Sequence, residues 1–430
     1  MSEKRYDYLI LGNSTAAVAA VEAIRAADAT GTLAVVSDQP NHVYSPPLIT
    51  YVLGGKIAED KLYTRSRDFY EQLQVDTYFG VPATQLQPET HQVMLASGVT
   101  LGYGKLLLAT GGTPIVPTTM PGVELQGVFT FTRHDDMVRV REFIPQHKVT
   151  SAVVIGGGMI GVKVAEAFAA IGLETTIVEL MDRVLAQALD ETGSAMAKRA
   201  LEGAGIRVLT GSGVTSIGGS DGTVQSVTLD SGSRLPAQLV VVAVGVRPNV
   251  QLAHGAGLSV NRGVLVDDHM RASAADVFAA GDVAEAYDPL LGEARPVAIW
   301  PAASLQGEVA GMNMAGQDAA YDGSIPMNSI QVCGLPTISV GLTAAPEGCE
   351  TLEYRSPDGK SYRRMFILND RIVGAIFVGD IDRAGIITGL IRGAIDVSSF
   401  REKLIQRDLG LLSLPKQYRK HIVSGPGIEV

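Results

Sequence analysis

The sequence predicts an α/β protein: two doubly wound units on parallel strands, then a smaller C-terminal α+β unit. Three observations predict it. First, residues 6–40 and 151–182 each read strand, glycine loop, alanine-rich helix, strand, acidic residue, with the loops 144 residues apart. Second, the strand candidates are near-continuous apolar runs, as parallel strands buried on both faces require. Third, beyond residue 321 the texture changes to segments resembling antiparallel strands, such as Ser329–Val332, Thr337–Val340 and Tyr362–Leu368.

The elements follow in order. Tyr8–Leu11 is a strand, Gly12 opens a loop, and Leu33–Val36 is a second strand ending at Ser37-Asp38. Leu106–Leu108 is a buried strand running into Ala109-Thr110-Gly111-Gly112. A proline-rich stretch, 111–121, marks a crossing out of the first unit, and Arg247-Pro248-Asn249 marks the return. Between them, Ala152–Ile155, Val162–Ala170 and Thr175–Val178 form strand, helix and strand, and Leu239–Val244 closes the second unit. Asp276–Asp282 is a strand ending on a carboxylate, and Ala302–Met314 is a helix. Ile372–Asp380 reads as a buried strand and its turn, followed by helices at Ala384–Arg392 and Phe400–Arg407. The expected domains are 1–120 and 248–321, 121–247, and 322–430.

Composition excludes several functions. Hydrophobic residues make up 46% of 430 and charged residues 19%, so a large core is available. The two cysteines, Cys333 and Cys349, are too few for a disulfide scaffold or a four-cysteine cluster. They read as small buried hydrophobes. The net charge of −10 argues against a nucleic-acid binder. No apolar run approaches the ~18 residues of a membrane span, and the N-terminus carries no signal-peptide pattern. The expectation is a cytoplasmic protein. Seven scattered histidines without His-x-x-His or Cys-x-x-Cys pairing give no metal site, and no G-x-S-x-G elbow supports a hydrolase.

The two loops differ in quality. Gly156-Gly157-Gly158-Met159-Ile160-Gly161 has the G-x-G-x-x-G form. Gly156 permits the tight turn, Gly158 admits a pyrophosphate, and Gly161 allows close helix–strand contact. The diphosphate then meets free N–H groups of Met159 and Ile160 at the helix N-terminus. Glu179, 23 residues after Gly156, is placed to accept the hydroxyls of an unphosphorylated ribose. Leu180 and Met181 follow it instead of arginine, which favours NAD(H) over NADP(H). The first loop, Gly12-Asn13-Ser14-Thr15-Ala16-Ala17, has serine and alanine at the second and third glycine positions; its candidate ribose acceptor is Asp38.

These loops, the turns at Ala109-Thr110-Gly111 and Gly245, and the strand ending Gly281-Asp282 together resemble the flavoproteins with two dinucleotide-binding domains. These form the superfamily of glutathione, ferredoxin and rubredoxin reductases. The resemblance spans about 1–320. It implies two Rossmann-like domains, FAD on the first and NAD on the second, with Gly281 and Asp282 at the flavin ribityl and phosphate. It also puts Ala83 beside the adenine, although a plain strand residue would look the same. In disulfide reductases a redox cysteine follows the first βαβ unit. Here that region reads Tyr44-Ser45-Pro46-Pro47-Leu48-Ile49-Thr50-Tyr51, so no dithiol relay is expected. It is similar to segments of nitrite reductase and rubredoxin reductase flavodomains, with Pro46 where those carry arginine. The Pro46-Pro47 pair is either a flavin contact or a rigid, donor-free wall. Trp300 is either an aromatic at the isoalloxazine or a core tryptophan. Lys163 stands where many relatives carry glutamate near the nicotinamide; it is either a salt-bridged cation there or a snorkelling surface lysine.

The C-terminal part resembles flavoprotein subunits of iron–sulfur oxidoreductase complexes such as phenylglyoxylate dehydrogenase. The resemblance implies an electron-transfer subunit passing electrons from a partner's clusters through FAD to NAD⁺. The C-terminal domain is then an interface, and Lys416, Arg419 and Lys420 form either a basic docking tail or a solvated terminus. The alternative is a free-standing NADH reductase acting on rubredoxin, ferredoxin, a quinone or oxygen. A redox-sensing protein that holds both cofactors without turnover is the third reading.

Overall fold

The computed structural model describes residues 4–406, 409–410 and 413–415. The basic tail Lys416–Lys420 lies outside them. The first sheet is built from β1 (Lys4–Leu11), β2 (Leu33–Ser37), β3 (Val75–Phe79), β4 (Ala83–Gln87), β5 (Gln92–Leu95) and β6 (Thr100–Leu108). Strands β3-β2-β1-β6 are parallel, and Val277–Ala279 joins β6 in parallel from far down the chain. That strand is shorter than the expected Asp276–Asp282 run. The apolar strand centres explain the parallel part: Leu9, Ile10, Val35, Leu106 and Leu107 have no exposed surface. By contrast, β4 and β5 pair antiparallel beside the start of β6. β4 is rich in Gln and Thr, and β5 offers only the short apolar stretch Val93-Met94-Leu95, so the sequence did not announce them.

The second sheet runs Arg207–Leu209, Glu174–Val178, Ser151–Ile155, Leu239–Val242 and Val128–Phe129, all parallel. The strand expected over Leu239–Val244 stops at Val242. Gly245 turns the chain at φ 134°, leaving Val244 43% exposed. An antiparallel three-stranded sheet, Val214–Ser220, Thr223–Leu229 and Arg234–Pro236, branches off the second unit. Its first hairpin turns on Asp221-Gly222, both with positive φ, the backbone a two-residue turn demands.

The two chain crossings lie side by side. Gly112–Pro114 pairs antiparallel with Val246–Pro248. The Asn249 amide donates to the Thr110 carbonyl at 2.7 Å, and the Thr113 hydroxyl donates to the Asn249 side-chain oxygen at 2.5 Å. The hinge between the two nucleotide units is therefore a short ribbon instead of two loose linkers.

The C-terminal sheet is antiparallel, in the order Met327–Val332, Leu335–Gly341, Arg371–Val378, Tyr362–Leu368, Glu350–Arg355. The Ala384–Arg392 helix forms as expected. The Phe400–Arg407 helix does not. A 3₁₀ segment, Ser398–Lys403, stands there, with Phe400 at a non-helical φ of −139°. Phe400 is buried in the core behind the sheet, and that packing overrides local helix propensity. Arg407 lies outside the described residues. The sheet's other face closes a core shared by all three parts, including Leu53, Phe168, Tyr362 and Ile376. Asp190 anchors the seam. It caps the Glu191–Gly203 helix by accepting from the Gly193 N–H, and it accepts from Tyr362 at 2.5 Å and Arg364 at 3.0 Å. No helix among the described residues is long and apolar enough to cross a membrane.

Helix Trp300–Met314 packs directly on helix Thr15–Ala27. A Cβ on Gly307 would lie 2.1 Å from the Ala16 carbonyl oxygen, and one on Gly311 2.6 Å from that of Ala20. This approach fixes where the helix starts, at Trp300. Gly307→Val is therefore expected to cost about 3 kcal/mol through overpacking. A denaturant titration checks this; an unchanged midpoint contradicts the close contact.

Candidate active site

A single cleft of ≈ 2250 Å³ opens between the three parts of the chain. It is more than twice the upper end of the ~300–1,000 Å³ typical of a pocket for one small ligand. Both glycine loops face it. Gly12 and Gly156 sit under the ends of neighbouring strands, where a Cβ would lie 2.0 Å from the Ala109 oxygen and 2.3 Å from the Ala243 oxygen. Both helices start without a side-chain cap, at Ser14 and at Gly158. Their first N–H groups are left for a ligand at the positive end of each helix dipole.

Most residues singled out in the sequence come together here. Gly12, Ser14, Thr15, Asp38, Pro47, Ala83, Ala109, Thr110, Gly111, Gly281, Asp282 and Trp300 line one side. Gly156, Gly158, Met159, Ile160, Lys163, Glu179 and Gly245 line the other. Ala17 and Gly161 do not reach the cleft. Ala17 is buried in the core, and a Cβ on Gly161 would meet the Gly156 oxygen at 2.0 Å, so both hold a helix against its sheet.

The two ribose candidates are held differently. Each oxygen of Glu179 accepts one backbone N–H, from Gly157 at 2.5 Å and from Met181 at 2.7 Å. That fixes the carboxylate while leaving lone pairs for hydroxyls. Asp38 is ion-paired to Arg133 at 2.6 Å. Arg133 also lines the cleft, and no sequence motif singled it out. It enters from the segment after Val128–Phe129, across the hinge, so only the tertiary fold shows it. Arg183, the nearest arginine after Glu179, pairs with Asp182 and is not among the lining residues.

Trp300 is not a core residue. It is 38% exposed, in the cleft wall, at the first turn of its helix. Pro46-Pro47 begins a 3₁₀ turn whose carbonyl at Pro47 accepts from Thr50. Lys163 is held in place. It pairs with Glu166, donates to the Gln331 carbonyl at 3.1 Å and lies 4.8 Å from the centre of the Tyr51 ring. Tyr51 and Gln331 also line the cleft. Tyr51 stood within the segment read at 44–51, while Gln331 had no local signal. The cysteines are free, and both pack against the shared core. Burial first, then the Glu166 charge, pushes the Cys333 thiol up to about 12, so it is no thiolate near neutrality.

The chain belongs to the pyridine nucleotide-disulphide oxidoreductase family, whose pattern matches residues 6–307. The rubredoxin NAD⁺ reductase C-terminal domain matches 326–395. The chain is similar to the epsilon subunit of NADH-dependent phenylglyoxylate dehydrogenase from Aromatoleum evansii, 33% identical, covering 94% of this chain and 96% of that one. It is 27% identical to NADH-rubredoxin oxidoreductase of Clostridium acetobutylicum, over 87% of this chain and 91% of that one. Among solved structures, the covalent putidaredoxin reductase–putidaredoxin complex superposes with a TM-score of 0.83 at 26% identity, covering 92% of this chain and 94% of that one.

The family's cofactors are FAD and NAD(H), and the cleft fits both. On the first side, the Thr15 hydroxyl oxygen is buried without a partner, and Asp282 has none among the described residues. On the second, a Cβ on Gly158 would meet nothing within 4 Å, so the backbone there borders open space. Burial raises the Asp282 carboxyl above its ordinary range. A raised acid opposes folding at a pH above its folded value, because the charge must then be buried. Asp282→Asn is thus expected to raise the melting temperature of the flavin-free protein at pH 8. The gain should shrink as pH falls through the raised value. Flavin affinity should drop by about tenfold or more as a charged acceptor is lost. Thermal melts and flavin titration check the two effects.

Proposed function

We propose that the chain is a FAD-dependent NAD(H) oxidoreductase acting as the electron-transfer subunit of an iron–sulfur oxidoreductase complex, of the kind that oxidises a 2-oxoacid such as phenylglyoxylate. One observation carries this reading: two uncapped, glycine-lined helix ends face one cleft in which, among the described residues, no thiolate stands between them. When bound, FAD and NAD(H) supply hydride exchange with each other and single-electron transfer to iron–sulfur clusters. The chain supplies binding and orientation. In this reading residues 1–120 and 248–321 hold FAD, 121–247 hold NAD, and 322–430 meet the partner. The helix ends at Ser14–Thr15 and Met159–Ile160 hold the two diphosphates. Asp38, clamped by Arg133, and Glu179, clamped by Gly157 and Met181, take the riboses. Pro47 and Trp300 wall the flavin and keep water off it, and Asp282 takes hydroxyl donors. No side chain needs to act as acid or base.

The likeness to a complex subunit over nearly both whole chains supports the partner. Purification from the native host at low ionic strength tests it. The chain is expected to co-purify with iron–sulfur subunits. A lone homodimer, fully active with oxygen, overturns the reading. The match at 326–395 favours a second reading, a free-standing NADH:rubredoxin-type reductase; fast NADH-dependent reduction of rubredoxin by the isolated chain would select it.

Gly158→Val tests the nicotinamide cradle. Its φ of −74° is open to any residue and its surroundings are empty, so the variant should fold. The added side chain would fill the diphosphate site. The KM for NADH should rise at least about tenfold, with flavin content unchanged.

A further inference from the structure

Besides the Asp38–Arg133 pair, the two nucleotide domains touch inside the cleft at a place that the cofactor loops do not explain. There Lys163, one turn into the Met159–Ala170 helix, reaches the ring of Tyr51 on the first domain and the Gln331 carbonyl on the C-terminal edge strand. Its counter-ion is Glu166, one turn further along the same helix. The pair is polarised with respect to the cleft. Lys163 lines the cleft and its side chain is 14% exposed, whereas Glu166 is 5% exposed, absent from the lining, and turned to the Cys333 N–H. The cleft therefore faces the positive end of a fixed ion pair. Lys56, on the same Tyr51 ring at 5.4 Å, adds to that sign.

Resting on the FAD/NAD reading above, the position of this contact has a meaning. A dinucleotide on the second domain has its adenosine ribose at Glu179 and its diphosphate at the start of the Met159–Ala170 helix. Its remaining half must extend toward the first domain, because hydride exchange requires the two rings to meet. Lys163 and Tyr51 mark a place, beyond that helix start, where the walls of the two domains meet. The nicotinamide ring is cationic in NAD⁺ and neutral in NADH. We propose that Lys163, oriented by Glu166, Gln331 and Tyr51, is a specificity-determining residue that makes the cleft discriminate against NAD⁺ in favour of NADH. The fixed cation repels the oxidised ring and leaves the reduced ring unaffected. The bound couple is thereby shifted toward NADH, the direction in which a subunit that reduces NAD⁺ must run.

The test measures binding without turnover. NAD⁺ is titrated into the oxidised, FAD-loaded protein, and NADH into the fully reduced protein under anaerobic conditions, both by calorimetry. Lys163→Met should tighten NAD⁺ by roughly three- to tenfold, the effect of one unit charge in a partly wet cleft, and move NADH less than about twofold. Glu166→Gln, which leaves the cation uncompensated, should shift NAD⁺ the opposite way, and Lys163→Arg should keep the wild-type ratio. Melting curves establish that each variant is folded. A purely structural role predicts equal changes for both ligands, and that result, or an unmoved NAD⁺ affinity in both charge-changing variants, overturns the inference while leaving the cofactor reading intact. Wild-type protein that takes up FAD but binds neither nicotinamide overturns both.

Discussion

The arrangement depends on the ribbon formed where the chain leaves the first nucleotide domain and where it returns. Gly112–Pro114 and Val246–Pro248 are far apart in sequence and hydrogen-bonded in space. Two separate linkers would let the domains rotate, and two phosphate cradles would then face each other only part of the time. Pairing the linkers removes most of that freedom at the cost of a few ordered residues. Asn249 extends the effect, since its amide and its side-chain oxygen both bond back to the 110–113 segment. The cleft is a consequence of this hinge as much as of either loop.

The C-terminal sheet restrains the second domain from the other side. Buried Asp190 joins a helix cap, a tyrosine and an arginine in one acceptor, and the hairpin at Cys333-Gly334 brings an N–H to Glu166. Removing one partner of such a buried group leaves an uncompensated charge, which costs several times more than an exposed ion pair. The C-terminal part is therefore continuous with the cleft wall through Gln331, whose carbonyl accepts from Lys163.

Much of this was legible in the sequence because parallel strands and glycine loops leave strong local marks. The runs Leu9–Leu11 and Val153–Ile155 had no alternative but a buried strand, and Gly156–Gly161 had a physical reason at each glycine. Illegible were the short strands Ala83–Gln87 and Gln92–Leu95, whose pairing is decided by tertiary neighbours: β5 finds the start of β6, and β4 then finds β5. The Val214–Leu229 hairpin was missed although Asp221-Gly222 advertises it. Phe400 shows the opposite failure, a helical pattern overruled by burial of one ring. Within the site, residues on motifs were found, and residues reaching in from other elements, Arg133 and Gln331 above all, were not. Tertiary proximity across a hinge has no spacing rule.

Charge placement ties these points together. The chain is acidic overall, yet the cleft carries positive groups: two uncapped helix ends, Arg133, and the Lys163 end of the Lys163–Glu166 pair. Of the carboxylates lining the cleft, Asp38 and Glu179 are each held by donors of the chain itself. Asp282, the third carboxylate lining the cleft, is half-buried and has no such donor among the described residues, and desolvation raises its carboxyl above the ordinary range. In the proposed flavin site, a ligand offering hydroxyl donors at that position would offset this desolvation. A site built this way is least stable when empty, and cofactor uptake should therefore be coupled to the stability of the first domain more strongly than the contacts alone would suggest.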